Sequence, residues 1–203
     1  MKIIAVGIGL LLMGGLALVS VIVQMEADYT LKALGGEGKA KALVLYHPSW
    51  DAHFSDDLSL ALSDGLKAAG FAVVLATLTR DTPGTPTGYA LIGVVSNTFY
   101  WTPDLPTLRY LKRARLDGLS VVGLIGGAGS TAQSQRILEE ALQRTGATVI
   151  ATPSFWISRP NDERRMTEPN RDVALQMAKQ FGIESGVYVV SPPPLTDPPW
   201  LSE

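Results

Sequence analysis

Uncharged and largely apolar positions fill residues 3–23 without a break, and beyond them the pattern changes to short apolar runs separated by stretches with helical spacing. An uncharged span of that length matches the roughly 20 residues needed to cross a bilayer core. A cleaved leader would instead carry a 7–15-residue apolar region and a small-residue cleavage site, and the following VIVQMEADY offers no such site. Residues 1–25 are therefore expected to form a transmembrane anchor, followed by a polar linker over residues 26–40 that contains GGEG. Positive charge orients such a span. Lys2 alone precedes it, whereas Lys32, Lys39 and Lys41 follow, so the rest of the chain is expected on the cytoplasmic side.

Residues 42–46 (ALVLY), 71–78, 90–96, 120–125 and 147–152 are short, continuous apolar runs rich in β-branched residues, the pattern of strands buried on both faces. Between them the period changes. Leu58, Ala61, Leu62, Leu66 and Ala69 recur at helical spacing behind Ser55 as N-cap, with Asp56 and Asp57 near the positive helix end and Gly70 as the stop. A second helix is expected over about 104–115, with Leu105, Leu108 and Leu111 inward and Arg109, Lys112 and Arg113 in water. A third carries Ile137, Leu138, Ala141 and Leu142 and ends at Gly146; a fourth spans 170–181, with Val173, Leu175, Met177 and Ala178 on its apolar side. Residues 79–89, with Pro83, Gly84, Pro86 and Gly88, read as a loop.

Strands alternating with helices indicate an α/β domain over residues 41–186, built on a doubly wound, five-stranded parallel sheet. Residues 187–203 differ: five prolines between Pro192 and Pro199 predict an extended surface tail. The 17 Lys+Arg against 19 Asp+Glu give no electrostatic reason to expect nucleic acid. With no cysteine and only His47 and His53, thiolate chemistry is excluded and a multi-histidine metal site is not expected.

The stretch LIGVVSNTFYWTPD, residues 91–104, places three consecutive aromatics just past the carboxyl end of the central strand, where open α/β sheets bind ligands. Phe99, Tyr100 and Trp101 either receive a flat ligand there or pack beneath a neighbouring loop.

Residues 41–160 resemble the flavodoxin-like family, whose members bind flavin mononucleotide (FMN), through three loops: YHPSWDAHFSDD (46–57), SNTFYWTP (96–103) and GLIGGAGS (123–130). The resemblance implies strand order 2-1-3-4-5, with the first two loops facing each other across one crevice. Ser49, Ser55 and the amides between Trp50 and Phe54 would then hold the phosphate at a helix N-terminus. The family's S/T-x-T-G-x-T pattern is absent here; Asp51 adds negative charge, and His53 offsets it when protonated. Thr98 would hydrogen-bond the ring while Phe99, Tyr100 or Trp101 stacks on it, and Asn97 stands where the family has proline. Gly126, Gly127 and Gly129 would allow close backbone approach to the ligand, or else form a strand-to-helix turn with Ser130 as N-cap.

Rival chemistries lack residues. GAGST is neither a nucleophile elbow nor a phosphate loop, and a receiver domain would need an aspartate where Ser96 and Asn97 stand. Two readings remain: a membrane-anchored FMN flavoprotein that transfers electrons or reduces a small acceptor such as a quinone, and a flavodoxin-like domain that has lost its cofactor and serves as a tethered interaction module.

Overall fold

The computed structural model describes residues 14–15, 27–48 and 53–191. The expected anchor lies outside them apart from residues 14–15, and so do residues 192–203 of the expected tail; residues 187–190, expected to be extended, instead belong to the last helix. Among the described residues no helix is long and apolar enough to cross a membrane.

The strands are β1 (Leu31–Gly35), β2 (Ala40–Tyr46), β3 (Phe71–Thr77), β4 (Leu91–Phe99), β5 (Thr102–Pro103), β6 (Ser120–Gly127), β7 (Thr148–Ala151) and β8 (Ser154–Trp156). The helices are α1 (Phe54–Ala68), α2 (Leu105–Arg113), α3 (Ala132–Gln143) and α4 (Asn170–Val190), with a short 3-10 turn at Glu163–Arg165. The sheet runs β1-β3-β2-β4-β6-β7, with β5 on β4 and β8 on β6. This corrects the expected five-stranded, all-parallel sheet to a mixed, eight-stranded one. It also corrects the linker, because β1 pairs antiparallel with β3, Leu31 opposite Ala76, inside residues read as a spacer.

Alternation along the central strands explains why their sequences are apolar throughout. Ala42 and Val44 enter one core with Leu58, Leu62 and Leu66 of α1 and with Ala174 and Ala178 of α4. Leu43 and Leu45 point the other way, into a second core with Tyr110 and Leu111 of α2 and Leu138 and Leu142 of α3. Each face of the sheet is thus covered by two helices, and a strand between such layers has no polar side.

Several helix details depart from expectation. Leu105 is exposed, and α2 instead buries Pro106, Thr107, Tyr110 and Leu111. The reason is local: Asp104 caps the helix through the Thr107 amide at 2.8 Å, and the Tyr110 hydroxyl donates to the Pro83 carbonyl, fixing which side turns inward. Met177 is likewise exposed. Helix α4 runs nine residues beyond the expected end at Phe181, to Val190. Gly182 and Gly186 do not stop it, because they sit where α4 crosses α1: a Cβ on Gly182 would fall 2.5 Å from the Leu62 carbonyl oxygen.

Candidate functional site

Parallel strands β2, β4 and β6 lie side by side, so the loops after them open on one edge of the sheet. β2 and β4 flank the point where the order reverses, because the chain steps from β2 outward to β3 and then back across to β4.

The first loop begins at Tyr46 and His47. Burial, and secondarily the Asp56 carboxylate, raise the Tyr46 hydroxyl above the usual tyrosine range. Ser49, Trp50 and Asp51 lie outside the described residues. Beyond them His53, not Ser55, is the N-cap of α1; its backbone is left-handed (φ 59°) and its carbonyl accepts from the Asp57 amide. The His53 ring is exposed, with Nδ1 3.9 Å from an Asp56 oxygen. Phe54 is wholly buried in the core, and the buried Ser55 hydroxyl donates to the His47 carbonyl at 2.8 Å. Phe54 and Ser55 therefore face the interior, which departs from their expected place in an anion cradle.

The second loop is a hairpin. Phe99 pairs with Thr102 and Thr98 with Pro103, leaving Tyr100 (φ 48°) and Trp101 (φ 61°) as the two turn residues. Two successive positive φ values are the signature of a type I′ turn, which usually takes Asn-Gly. Left-handed backbone costs an ordinary residue about 1–2 kcal/mol, so two bulky aromatics here are held against a local preference. Both rings are exposed, at 55% and 58%, and Phe99 meets Tyr100 edge-on at 4.7 Å. The expected alternative, in which all three rings pack under a loop, does not hold for these two.

Asp104 holds the hairpin closed. Buried to 4% exposure, its carboxylate accepts from the Ser96 hydroxyl at 2.6 Å, the Asn97 amide at 3.1 Å and the Thr107 amide at 2.8 Å. His47 Nδ1 lies 3.9 Å from the carboxylate oxygen that accepts from Thr107, so the root of the first loop approaches the root of the hairpin. The Asn97 side chain turns back to accept from the Thr98 amide. Thr98 Oγ1 is buried without a hydrogen-bond partner.

In the third loop the glycines make room for the chain itself. A Cβ on Gly126 would crowd Leu58 and Phe54; on Gly127 it would lie 2.8 Å from Thr131 Cγ2 and 3.2 Å from Thr98 Oγ1; on Gly129 it would strike the Arg159 side chain. The N-cap of α3 is Thr131, not the expected Ser130, and it makes no side-chain cap. Its hydroxyl accepts instead from the Trp156 indole at 2.7 Å. Arg159 donates to the Gly129 carbonyl at 3.0 Å and stacks on Trp156, 5.2 Å from the ring centre.

These groups enclose a cleft of about 320 Å³ lined by Trp101, residues 129–133, Ser154, Trp156 and Arg159. It lies within the volume range of small-molecule sites. Of the expected site residues it collects Trp101 and Gly129. Trp156 and Arg159 were missed, since they follow the last expected strand, and their only signal was an aromatic and a cation near Pro160.

No family model and no curated protein matches the chain. Among solved structures, the chain is similar to a flavodoxin from the domain Archaea (18% identity, TM-score 0.57), the match covering 74% of this chain and 99% of that one. It is also similar to oxidised Flavodoxin 2 from Bacillus cereus (20% identity, TM-score 0.52, 70% of this chain and 97% of that one). A flavodiiron protein from Giardia intestinalis matches at 17% identity and TM-score 0.54 over 76% of this chain, which spans 37% of that protein. The fold is therefore flavodoxin-like.

Proposed function

We propose that the chain is a flavoprotein that binds FMN at the carboxyl edge of its sheet, acting in electron transfer or in reduction of a small acceptor such as a quinone, and that residues 3–23 tether it to a membrane with the domain on the cytoplasmic side. The observation that carries this reading is the Tyr100–Trp101 turn, which spends backbone strain to present two exposed aromatic faces at the strand-order reversal. Flavodoxins among the fold's neighbours support it.

The residues present suit a planar ring. Trp101 and Trp156 line the same cleft, whereas the partnerless Thr98 hydroxyl is buried against Gly127 and lies outside the cleft lining. Arg159 borders the cleft, its side chain lying over Gly129 and against the Trp156 ring. The phosphate falls to the first loop, residues 49–52, since Ser55 is already committed to His47. When bound, FMN supplies the redox chemistry; the chain's part is to position the ring between aromatic faces and exclude water from it.

Purifying the full chain in lipid tests the proposal. A yellow protein that releases FMN on denaturation, identified by mass, is the expected result. Colourless protein that fails to take up added FMN would overturn this reading and leave the tethered interaction module, which the internally filled third loop favours.

A further inference from the structure

The cleft beside the hairpin is one-sided in charge. Among the described residues its lining holds a single ionised side chain, Arg159, and no carboxylate. The guanidinium is held at two points: Nη1 donates to the Gly129 carbonyl at 3.0 Å, and Cζ lies over the Trp156 ring, 5.2 Å from its centre. Trp156 is itself fixed, since its indole donates to the Thr131 hydroxyl and its amide to the Asn161 side chain. A guanidinium carries five N–H donors, and those not spent on Gly129 have no partner among the described residues. Carboxylates on the flanking elements are occupied elsewhere. Asp162 pairs with Arg164 and Glu168 with Arg165, while Asp104 is buried beneath the hairpin, accepting from Ser96, Asn97 and Thr107. On α3 the charged residues Arg136, Glu139 and Glu140 all come after the first turn, which is the part that meets the cleft.

On the flavoprotein reading, on which this rests, we propose that Arg159 makes the cleft hold reduced FMN, as its ring anion, more tightly than oxidised FMN. Uptake of two electrons and one proton, with an external donor such as dithionite supplying the electrons, turns the neutral oxidised ring into a monoanion. A second proton gives a neutral reduced ring. The phosphate is common to all three forms and cancels. A ring seated in this cleft has Trp101 on the hairpin side and the Arg159–Trp156 pair on the other, and a fixed cation there favours the anion over both neutral forms. Arg159 is exposed, so water screens it; the preference expected of a screened charge at such range is about tenfold. Bound FMN is then easier to reduce than free FMN. That sign suits a domain that draws electrons from a donor of modest reducing power.

The test compares the full chain in lipid, loaded with FMN, with its Arg159→Gln and Arg159→Lys variants. Each is reduced with dithionite against indicator dyes across the neutral pH range. The potential falls about 30 mV per pH unit where reduction takes up one proton and about 60 mV where it takes up two, so the change of slope marks where the anion gives way to the neutral reduced ring. Arg159→Gln should lower the potential on the alkaline side by about 30 mV, the equivalent of tenfold, and move the change of slope upward by about one pH unit. Arg159→Lys keeps the charge and should retain most of both. A purely structural role would weaken oxidised and reduced FMN alike and leave the potential where it is. Bound FMN with potential and slope unchanged in Arg159→Gln, or shifted equally in Arg159→Lys, overturns the proposal and leaves the flavoprotein reading standing; protein that takes up no FMN overturns both.

Discussion

The hairpin after β4 and the glycine-rich loop after β6 stand next to each other on the same sheet edge, yet they are built on opposite principles. In the hairpin, bulky residues are pushed outward against backbone preference, and a buried carboxylate beneath them holds the turn in place. In the glycine loop the backbone is bare, but each space a side chain would occupy is already filled by Phe54, Leu58, Thr98, Thr131 or Arg159. Residue types usually read as core are therefore the ones on display, and those usually read as ligand cradles serve packing. Burial and neighbour geometry separate the two cases; residue type alone does not.

The contrast can be broken most severely at Asp104. Its replacement by Ala orphans the buried donors of Ser96, Asn97 and Thr107, and an unsatisfied buried group costs about 1–3 kcal/mol. Asp104→Ala should lose about 3 kcal/mol in urea unfolding, with faster hydrogen exchange at residues 97–103. Loss of stability without faster exchange in the hairpin would show that Asp104 acts only as the α2 cap. Next comes Gly127→Ala, which drives a methyl into Thr131 and Thr98 and should cost about 1–3 kcal/mol as overpacking, read from the same unfolding curves. A ligand-cradle glycine would instead lose FMN affinity at unchanged stability.

A smaller effect sharpens the comparison from the hairpin side. Trp101→Gly removes left-handed strain, so the fold should hold or gain up to about 1 kcal/mol, while FMN affinity, measured by fluorescence titration, falls about fivefold with the lost stacking. Affinity that does not move would place the ring against another aromatic, Trp50 first. Smallest of all, Arg159→Ala removes a cation stacked on Trp156 together with its hydrogen bond to the Gly129 carbonyl, and should cost about 1 kcal/mol. A much larger loss in urea unfolding would make Arg159 a support of the third loop and not only a wall of the cleft.

Strands β2, β4 and β6 were legible because each is buried on both faces and needs an unbroken apolar run. β1 was not. LKALG is mostly exposed, and its strand character comes from its partner β3, a tertiary effect that no local pattern announces. The end of α4 was misplaced for a related reason: the helix continues past residue 181 through Gly182, which lies across from Gly65 where close contact between two helices requires small residues on both. At the site, the position of the aromatic turn was readable from the run LIGVVS ahead of it, whereas its left-handed backbone was not, since Tyr and Trp are poor candidates for that conformation. The inward turn of Phe54 and Ser55 was equally hidden, because the cap fell on His53.

The direction of β1 sets where the leash is tied. Because β1 runs antiparallel to β3, with Leu31 opposite Ala76 near the carboxyl end of β3, the chain enters the domain from the edge that carries the aromatic cleft and not from the far edge. Residues 24–30 span at most about 24 Å when fully extended, at roughly 3.4 Å each. For a chain held in a bilayer by residues 3–23, so short a leash keeps the cleft within a few nanometres of the membrane surface. An acceptor confined to that membrane would then meet the cleft by diffusion in the plane of the bilayer and not from bulk water. Collision frequency is thereby set by the tether, and lengthening it should slow transfer to a membrane-bound acceptor while leaving transfer to a water-soluble one unchanged.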